Sequence, residues 1–248
     1  MKTVNDTLLD RRSIRRYERQ PISKEQLNLI YQAIRNTPTS YNGQQFCVID
    51  ISDQQVKEQI YDLTGQKQIK TCSHFMLFCI DYHKIAVAAK LKGEEMPPFP
   101  STADGLIVGV VDASLAMMSA LTVAESLGLG TCPIGYARTA APEELSRLMR
   151  LPQGVFVICG LAIGVPREQP DMKPKQQESL IIHHEHYCDE NIAEGVTTYD
   201  KEITDYTASR SGNVKIHDWT GNILSYYREA MNYHILDALR SQGFDIIK

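Results

Sequence analysis

From Gly109 to Leu127 almost every residue is apolar or small, with Val110, Val111, Ala113, Leu115, Met117, Met118, Leu121, Val123 and Ala124 distributed around all sides of a helical wheel. A helix with no polar face needs cover on nearly every side, so this segment predicts a buried helix at the centre of the fold or of a dimer. The wider region Gly105 to Leu127 is long enough to cross a bilayer. Asp112 in mid-span, Glu125 near the end and several Ser and Thr between them argue instead for a core helix, with no membrane partner.

Shorter elements lead up to it. Ser23-Lys24-Glu25-Gln26 is a capping box, flanked by Ile22 and Leu27 where a hydrophobic staple would close. The helix it starts carries Leu27, Ile30, Tyr31 and Ile34 on one face and stops at Asn36-Thr37-Pro38, leaving residues 37–45 as a loop. Phe46 to Ile51 and Phe75 to Ile80 read as strands of a sheet covered on both faces. Between them Val56, Ile60 and Leu63 mark a helix that ends at Gly65, giving the order helix, strand, helix, strand.

Residues 84–104, with Pro97-Pro98-Phe99-Pro100, read as an irregular excursion. After the long helix, Gly128 and Gly130 lead into a short strand and turn at Thr131 to Tyr136. Pro142 then opens a helix with Glu143 and Glu144 in its first turn and Arg147 and Arg150 in its last, and Val155 to Gly164 forms an apolar strand. From about 167 to 220 the chain turns polar and irregular, with helical patterns at 219–231 and 233–242. A core over residues 1–166 and an extension over 167–248 that wraps a neighbouring copy are expected, as one structural domain.

The 248 residues, 43% hydrophobic and 23% charged, suit one large domain or two small ones. Six cysteines at 47, 72, 79, 132, 159 and 188 form no C-x-x-C pair, and the first residues lack the apolar stretch of a secretory signal. A reducing, cytoplasmic setting is expected.

The chemistry concentrates near the start, in Arg11-Arg12-Ser13-Ile14-Arg15-Arg16-Tyr17. Arg12, Ser13 and Arg15 place guanidinium forks and a hydroxyl within four residues, a set that matches the oxygens of a phosphate. Five arginines between 11 and 19 also fit a non-catalytic arm that binds a phosphorylated ligand or nucleic acid. The net charge of −4, with no second basic cluster, favours a small phosphorylated ligand over nucleic acid.

These segments together resemble the nitroreductase family, in its larger branch of NAD(P)H-dependent flavin reductases and oxygen-insensitive nitroreductases. The match runs in order through Arg12-Ser13-Ile14-Arg15, Gln20-Pro21-Ile22-Ser23, Thr39-Ser40, Leu63-Thr64-Gly65-Gln66, Gly109-Val110-Val111-Asp112, Ala124 to Gly130, Ile134-Gly135 and Asp171-Met172-Lys173-Pro174-Lys175. The resemblance implies an α+β sandwich with a central mixed β-sheet flanked by helices. It also implies an intertwined homodimer with an extended C-terminal tail, holding one FMN per interface.

By the same resemblance Arg11, Arg12, Ser13, Arg15 and Lys175 would meet the FMN phosphate. Thr39, Ser40, Tyr41 and Gln66 would hydrogen-bond the ribityl chain and the polar edge of the ring. Pro133, Ile134, Gly135 and Tyr136 would lie against the ring, with backbone N–H groups toward N5 and O4, and Lys173 or Arg15 would supply a cation near N1 and O2. Asn42 and Arg210 fall on the donor and acceptor side. The activity implied is a ping-pong transfer of two electrons from NADPH or NADH, through FMN, to a nitroarene, a quinone or free flavin, with chemistry at FMN N5 and no nucleophilic side chain.

The sequence departs from the family pattern in places. Arg11 stands where a histidine is common and Lys175 replaces an arginine, which keeps charge but loses a fork. Tyr136 replaces the second of two glycines, Asn42 a larger apolar residue and Asn232 an arginine that some members turn toward the NADPH 2′-phosphate. The choice of nucleotide therefore stays open. His183-His184-Glu185-His186 matches no strong zinc spacing, so no metal is expected there, and Asp112 and Glu125 read as satisfied structural carboxylates.

Overall fold

The computed structural model describes residues 2–210 and 216–246. Along the chain the helices and strands are α1 (Val4–Asp10), α2 (Lys24–Arg35), β1 (Phe46–Ile51), α3 (Gln54–Thr64), α4 (Lys67–Thr71), β2 (His74–Asp81), α5 (His83–Leu91), α6 (Ala103–Ser126), β3 (Gly130–Ile134), α7 (Tyr136–Thr139), α8 (Pro142–Leu148), β4 (Val155–Gly164), α9 (Ile192–Ser209), α10 (Trp219–Ala230) and α11 (Ile235–Ser241). Two compact units result, one from residues 1–170 with 234–248, the other Asp171–Tyr233.

The first unit is an α+β sandwich built on one sheet of order β1-β2-β4-β3. All three strand pairs are antiparallel, so the expected mixed sheet is corrected to an antiparallel one. Strands buried on both faces are typical of parallel sheets, but here helices cover both faces of an antiparallel one. Among the described residues the parallel element reduces to one bridge, between Ser13 of the extended arm and Thr131 of β3.

Alternation along β2 sorts its side chains cleanly. Phe75, Leu77 and Cys79 point to a layer made by Val56 and Ile60 of α3, Ile69 of α4, Ala137 of α7 and Leu145 of α8. Met76 and Phe78 point to the opposite layer, against Ile30 and Ile34 of α2 and Ala116 and Ala120 of α6. Ile80 continues that face into a cluster with Ala238 and Leu239 of α11 and the nearby Phe244. In β4 a register shift at Phe78/Cys79 leaves one residue extra, so Val155 and Val157 share a face with Ala162 rather than with Leu161 and Ile163.

The local stops and starts follow the sequence chemistry. Ser23 and Gln26 form the reciprocal capping box of α2, and Asp53 caps α3, which ends at Gly65 in the left-handed conformation (φ 67°) that glycine adopts without cost. Helix α8 ends at Leu148, so Arg150 lies beyond its last turn. The 84–104 stretch is not simply irregular: α5 occupies its first half, and Met96 and Phe99 pack on the cluster around Tyr82.

Helix α6 is buried on one side only within the single chain. It buries one face, through Gly105, Gly109, Asp112, Ala113, Ala116, Ala120, Leu121 and Ala124, because mostly small residues let it lie close on the sheet. Leu106, Val110, Met117 and Val123 pack at its flanks, and four larger residues point away. Ile107, Val111, Leu115 and Met118 are 41–60% exposed and line one apolar stripe.

In the second unit α9 and α10 pack together around Tyr199 and Trp219, whose ring centroids are 5.8 Å apart. The Asp200 carboxylate accepts the Thr220 N–H at 2.8 Å. Helix α9 replaces part of the irregular stretch expected over 167–220.

Candidate functional site

The arginine arm runs as extended chain along β3. Ile14 N–H donates to the Thr131 carbonyl at 2.8 Å, and the buried Tyr17 hydroxyl donates to the carbonyls of Ile14 (2.6 Å) and Ala162 (3.3 Å). Burial drives the Tyr17 phenol far above its ordinary range, so it remains a donor at every working pH. A Cβ at Gly130 would lie 2.8 Å from Ile14, so glycine there lets the arm approach the strand.

Three carboxylates, distant in sequence, hold this region. The Glu168 carboxylate accepts the backbone N–H groups of Arg15 (2.6 Å) and Arg16 (3.1 Å). Glu125, on α6, accepts the Thr131 hydroxyl at 2.5 Å and stands 3.7 Å from Arg11 Nε. Burial raises the Glu125 carboxyl above its ordinary range, against the lowering pull of Thr131 and Arg11. Asp112, also on α6 and fully buried, accepts the N–H groups of Ser40 (3.0 Å) and Gln45 (3.3 Å).

The arm itself presents unused donors. Arg11 Nε and Arg12 Nε are buried and have no hydrogen-bond partner among the described residues, while Arg12 Nη1 donates to the Pro170 carbonyl at 3.1 Å. Arg15 Nη1 turns back to the Ser13 carbonyl at 3.3 Å. A dianionic phosphate supplies the acceptors that such buried guanidinium nitrogens lack, so the donor set fits a phosphorylated ligand such as FMN.

The loop that carries Thr39, Ser40, Tyr41 and Asn42 has an unusual backbone. Tyr41 (φ 55°), Asn42 (φ 54°) and Gln44 (φ 51°) are all left-handed without being glycine. Each costs about 1 kcal/mol or more in that region. Tyr41 is 95% exposed, and Thr39 Oγ1 accepts the Gln44 N–H at 3.2 Å.

Gln66 precedes α4, and its side-chain carbonyl accepts Gln68 Nε2 at 2.9 Å. A cleft of about 720 Å³ joins this turn to the arm, lined by Arg15, Arg16, Gly65, Lys67, Gln68 and Arg167 among others. The arm and the Gly65–Gln68 turn are thus brought together. Lys67, Gln68 and Arg167 were not anticipated from the sequence, nor was the role of Glu168; each lies beside a recognised motif, which was the available signal.

At the end of β3, Ile134 is buried in the core and Tyr136 packs against the same cluster. Pro133 and Gly135 face outward, so this turn offers a ligand its backbone more than its larger side chains. Lys173, Lys175 and Arg210 belong to the second unit. Lys173 and Lys175 are exposed and flank Pro174, whose carbonyl accepts the Tyr199 hydroxyl at 2.9 Å, and Arg210 caps the end of α9.

In the same unit His183, His184, His186 and Cys188 border a hollow of about 520 Å³. Among the described residues no group of three or more His, Cys, Asp or Glu is arranged to hold a metal ion.

Known proteins match the whole chain. The model described as the nitroreductase family matches residues 8–73 and 85–165, and that described as the nitroreductase family, C-terminal domain, matches 173–247. An NAD(P)H FMN reductase of Bacillus subtilis is 36% identical over all of both chains. An oxygen-insensitive NADPH nitroreductase of Salmonella typhimurium is 32% identical, over 98% of this chain and 99% of the relative. The solved structure of the hypothetical oxidoreductase YcnD from Bacillus subtilis superposes with a TM-score of 0.95 at 36% identity, covering all of both chains.

Proposed function

The chain belongs to the nitroreductase family, and we propose that it is an FMN-dependent NAD(P)H oxidoreductase that reduces nitroaromatics, quinones or free flavin. The observation that carries this reading is the buried Arg12 Nε without a hydrogen-bond partner among the described residues, beside an Arg11 Nε that likewise makes no hydrogen bond and faces the Glu125 carboxylate at 3.7 Å, in an arm already fixed to the sheet. An arm tied down by Glu168, Tyr17 and Thr131 suits a small anion better than a long, flexible polyanion.

When bound, FMN supplies the two-electron transfer between nucleotide and acceptor. Arg11, Arg12, Ser13 and Arg15 hold its phosphate, joined by Lys175. Thr39, Ser40, Tyr41 and Gln66 orient the ribityl chain and the polar ring edge, and the Pro133 to Tyr136 turn offers backbone N–H donors. Lys173 or Arg15 places positive charge where the ring gains electron density. Asn42 and Arg210 border the side where nucleotide and acceptor enter, and the work of the protein is positioning and electrostatics, with no nucleophilic side chain required.

The exposed stripe Ile107, Val111, Leu115 and Met118 supports a homodimer, because a contiguous apolar face on a helix of this length marks a contact surface. A cytoplasmic setting follows the same reading. The test is an anaerobic titration of the purified protein with NADH and with NADPH, followed in the visible spectrum. Bleaching of a yellow protein by one nucleotide far below the concentration the other needs supports the reading and fixes the donor; protein that stays colourless after FMN is added rejects it.

A further inference from the structure

We propose that Asp112 is the positioning residue of the Thr39–Gln45 loop, a carboxylate clamp that holds the loop so that Tyr41 serves the flavin and Asn42 faces the electron acceptor. The acceptor role rests on the functional reading above; the clamp itself rests on geometry. The two oxygens of a fully buried side chain take the N–H groups at the two ends of one arch, Ser40 on Oδ1 and Gln45 on Oδ2.

Between those two anchors lie three non-glycine residues in the left-handed region, Tyr41, Asn42 and Gln44. Bonds within the arch, Gly43 N–H to the Ser40 carbonyl (2.9 Å) and Gln44 N–H to Thr39 Oγ1 (3.2 Å), curl it. The Gln45 carbonyl accepts the Asp81 N–H of β2 at 3.0 Å, and Asp112, from the middle of α6, holds the N–H groups at both ends. A backbone this unfavourable persists only where the surroundings over-determine it, and strain of this kind is retained where a loop must present particular side chains. Here it leaves Tyr41 almost wholly exposed.

The chemistry demands a carboxylate. Asparagine has nearly the same shape, but only one of its two terminal atoms accepts a hydrogen bond; the other would set an amide donor against a backbone donor. Asp112→Asn therefore opens one end of the arch while leaving the core volume unchanged. Gln44→Gly acts oppositely, since glycine takes the left-handed conformation freely, and Gln44 is exposed and outside the binding residues named above.

The experiment compares wild type, Asp112→Asn, Gln44→Gly and the double variant. In flavin-free protein, hydrogen exchange at the Ser40 or the Gln45 amide, whichever faces the new amide group, should accelerate tenfold or more in Asp112→Asn. In flavin-loaded enzyme, KM for a nitroarene should rise at least fivefold with kcat changed by less than twofold, and the double variant should recover most of that loss.

Unchanged exchange at both amides, or no rescue by Gln44→Gly, overturns the clamp. Should Asp112→Asn fail to fold, folding restored in the double variant supports the proposal and continued failure overturns it. Wild-type protein that neither holds FMN nor reduces nitroarenes would defeat the functional reading, while the exchange result would still decide the clamp.

Discussion

The Glu168 carboxylate receives the backbone N–H of Arg15 at 2.6 Å, across 153 positions of sequence. It takes the Arg16 N–H as well, so a single side chain fixes the direction in which the arm's arginines leave the main chain. Glu168→Ala removes the acceptor of both N–H groups, together with the ion pair to the exposed Arg16 guanidinium at 3.7 Å, and leaves Arg11, Arg12 and Arg15 in place. The expected result is FMN binding weakened about tenfold, about 1.4 kcal/mol, because the lost bonds orient the arm and do not themselves touch the ligand. Equilibrium dialysis checks it, and wild-type affinity in the variant would show that the arm is fixed by β3 alone.

Arg12→Ala tests the phosphate contact directly. Loss of a charge-assisted fork is worth about 1.5–3 kcal/mol, so FMN affinity should fall by roughly tenfold to a hundredfold. Riboflavin, which has no phosphate, should bind wild type and variant alike. Equal loss for both ligands would mean that Arg12 supports the fold of the site and not the phosphate.

Much of this arrangement was legible in the sequence because its signals are local. The capping box at Ser23 and Gln26, the left-handed stop at Gly65 and the apolar runs of β1, β2 and β4 each occupy a few adjacent residues. The arginine cluster was legible for the same reason. Helix α9 was not, because its buried stripe is Gly195, Tyr199, Ile203 and Thr207, two of them carrying little apolar signal. Helix α5 buries no residue at all and leaves no periodicity to read. The carboxylates at 112, 125 and 168 reach residues far away in sequence, and no local spacing records such partnerships. Which side of α6 meets the sheet was hidden too, since small and large apolar residues count alike in an apolar run, whereas close packing on a sheet selects the face rich in Gly and Ala.

Glu125 gives a pH prediction with a definite sign. Burial raises its carboxyl above the ordinary value of 4.5, so the folded chain binds this proton more tightly than the unfolded chain. Its contribution therefore favours folding at pH below 4.5 and is lost as pH rises through the folded value. Glu125→Gln has no such proton to lose. Urea midpoints compared between pH 4 and pH 8 should show the variant gaining on wild type as pH increases; a constant offset would contradict the buried, ionising carboxylate.

The cysteines should separate sharply in reactivity. Cys188 is exposed, whereas Cys72 and Cys79 are buried; burial pushes the Cys72 thiol up to about 12, against the lowering influence of Lys57. The thiolate is the reacting form. Iodoacetamide at pH 8 on the native protein should modify Cys188 at least a hundredfold faster than Cys72, as read by peptide mass spectrometry. Comparable rates would mean that the sheet layer containing Cys72 opens readily.

The apolar stripe of α6 gives the last prediction. Val111 is 44% exposed and stands between Ile107 and Leu115 on the face turned away from the sheet. A charge there costs the isolated chain little, because surface substitutions away from packed features change stability by about 0.5 kcal/mol or less. In a homodimer built on this face, a glutamate from each copy would be desolvated, which is strongly unfavourable. Val111→Glu should therefore leave the far-ultraviolet circular dichroism unchanged while light scattering shows the mass falling from dimer to monomer. A Val111→Glu protein that remains dimeric at micromolar concentration would place the subunit contact elsewhere and leave the stripe to another partner.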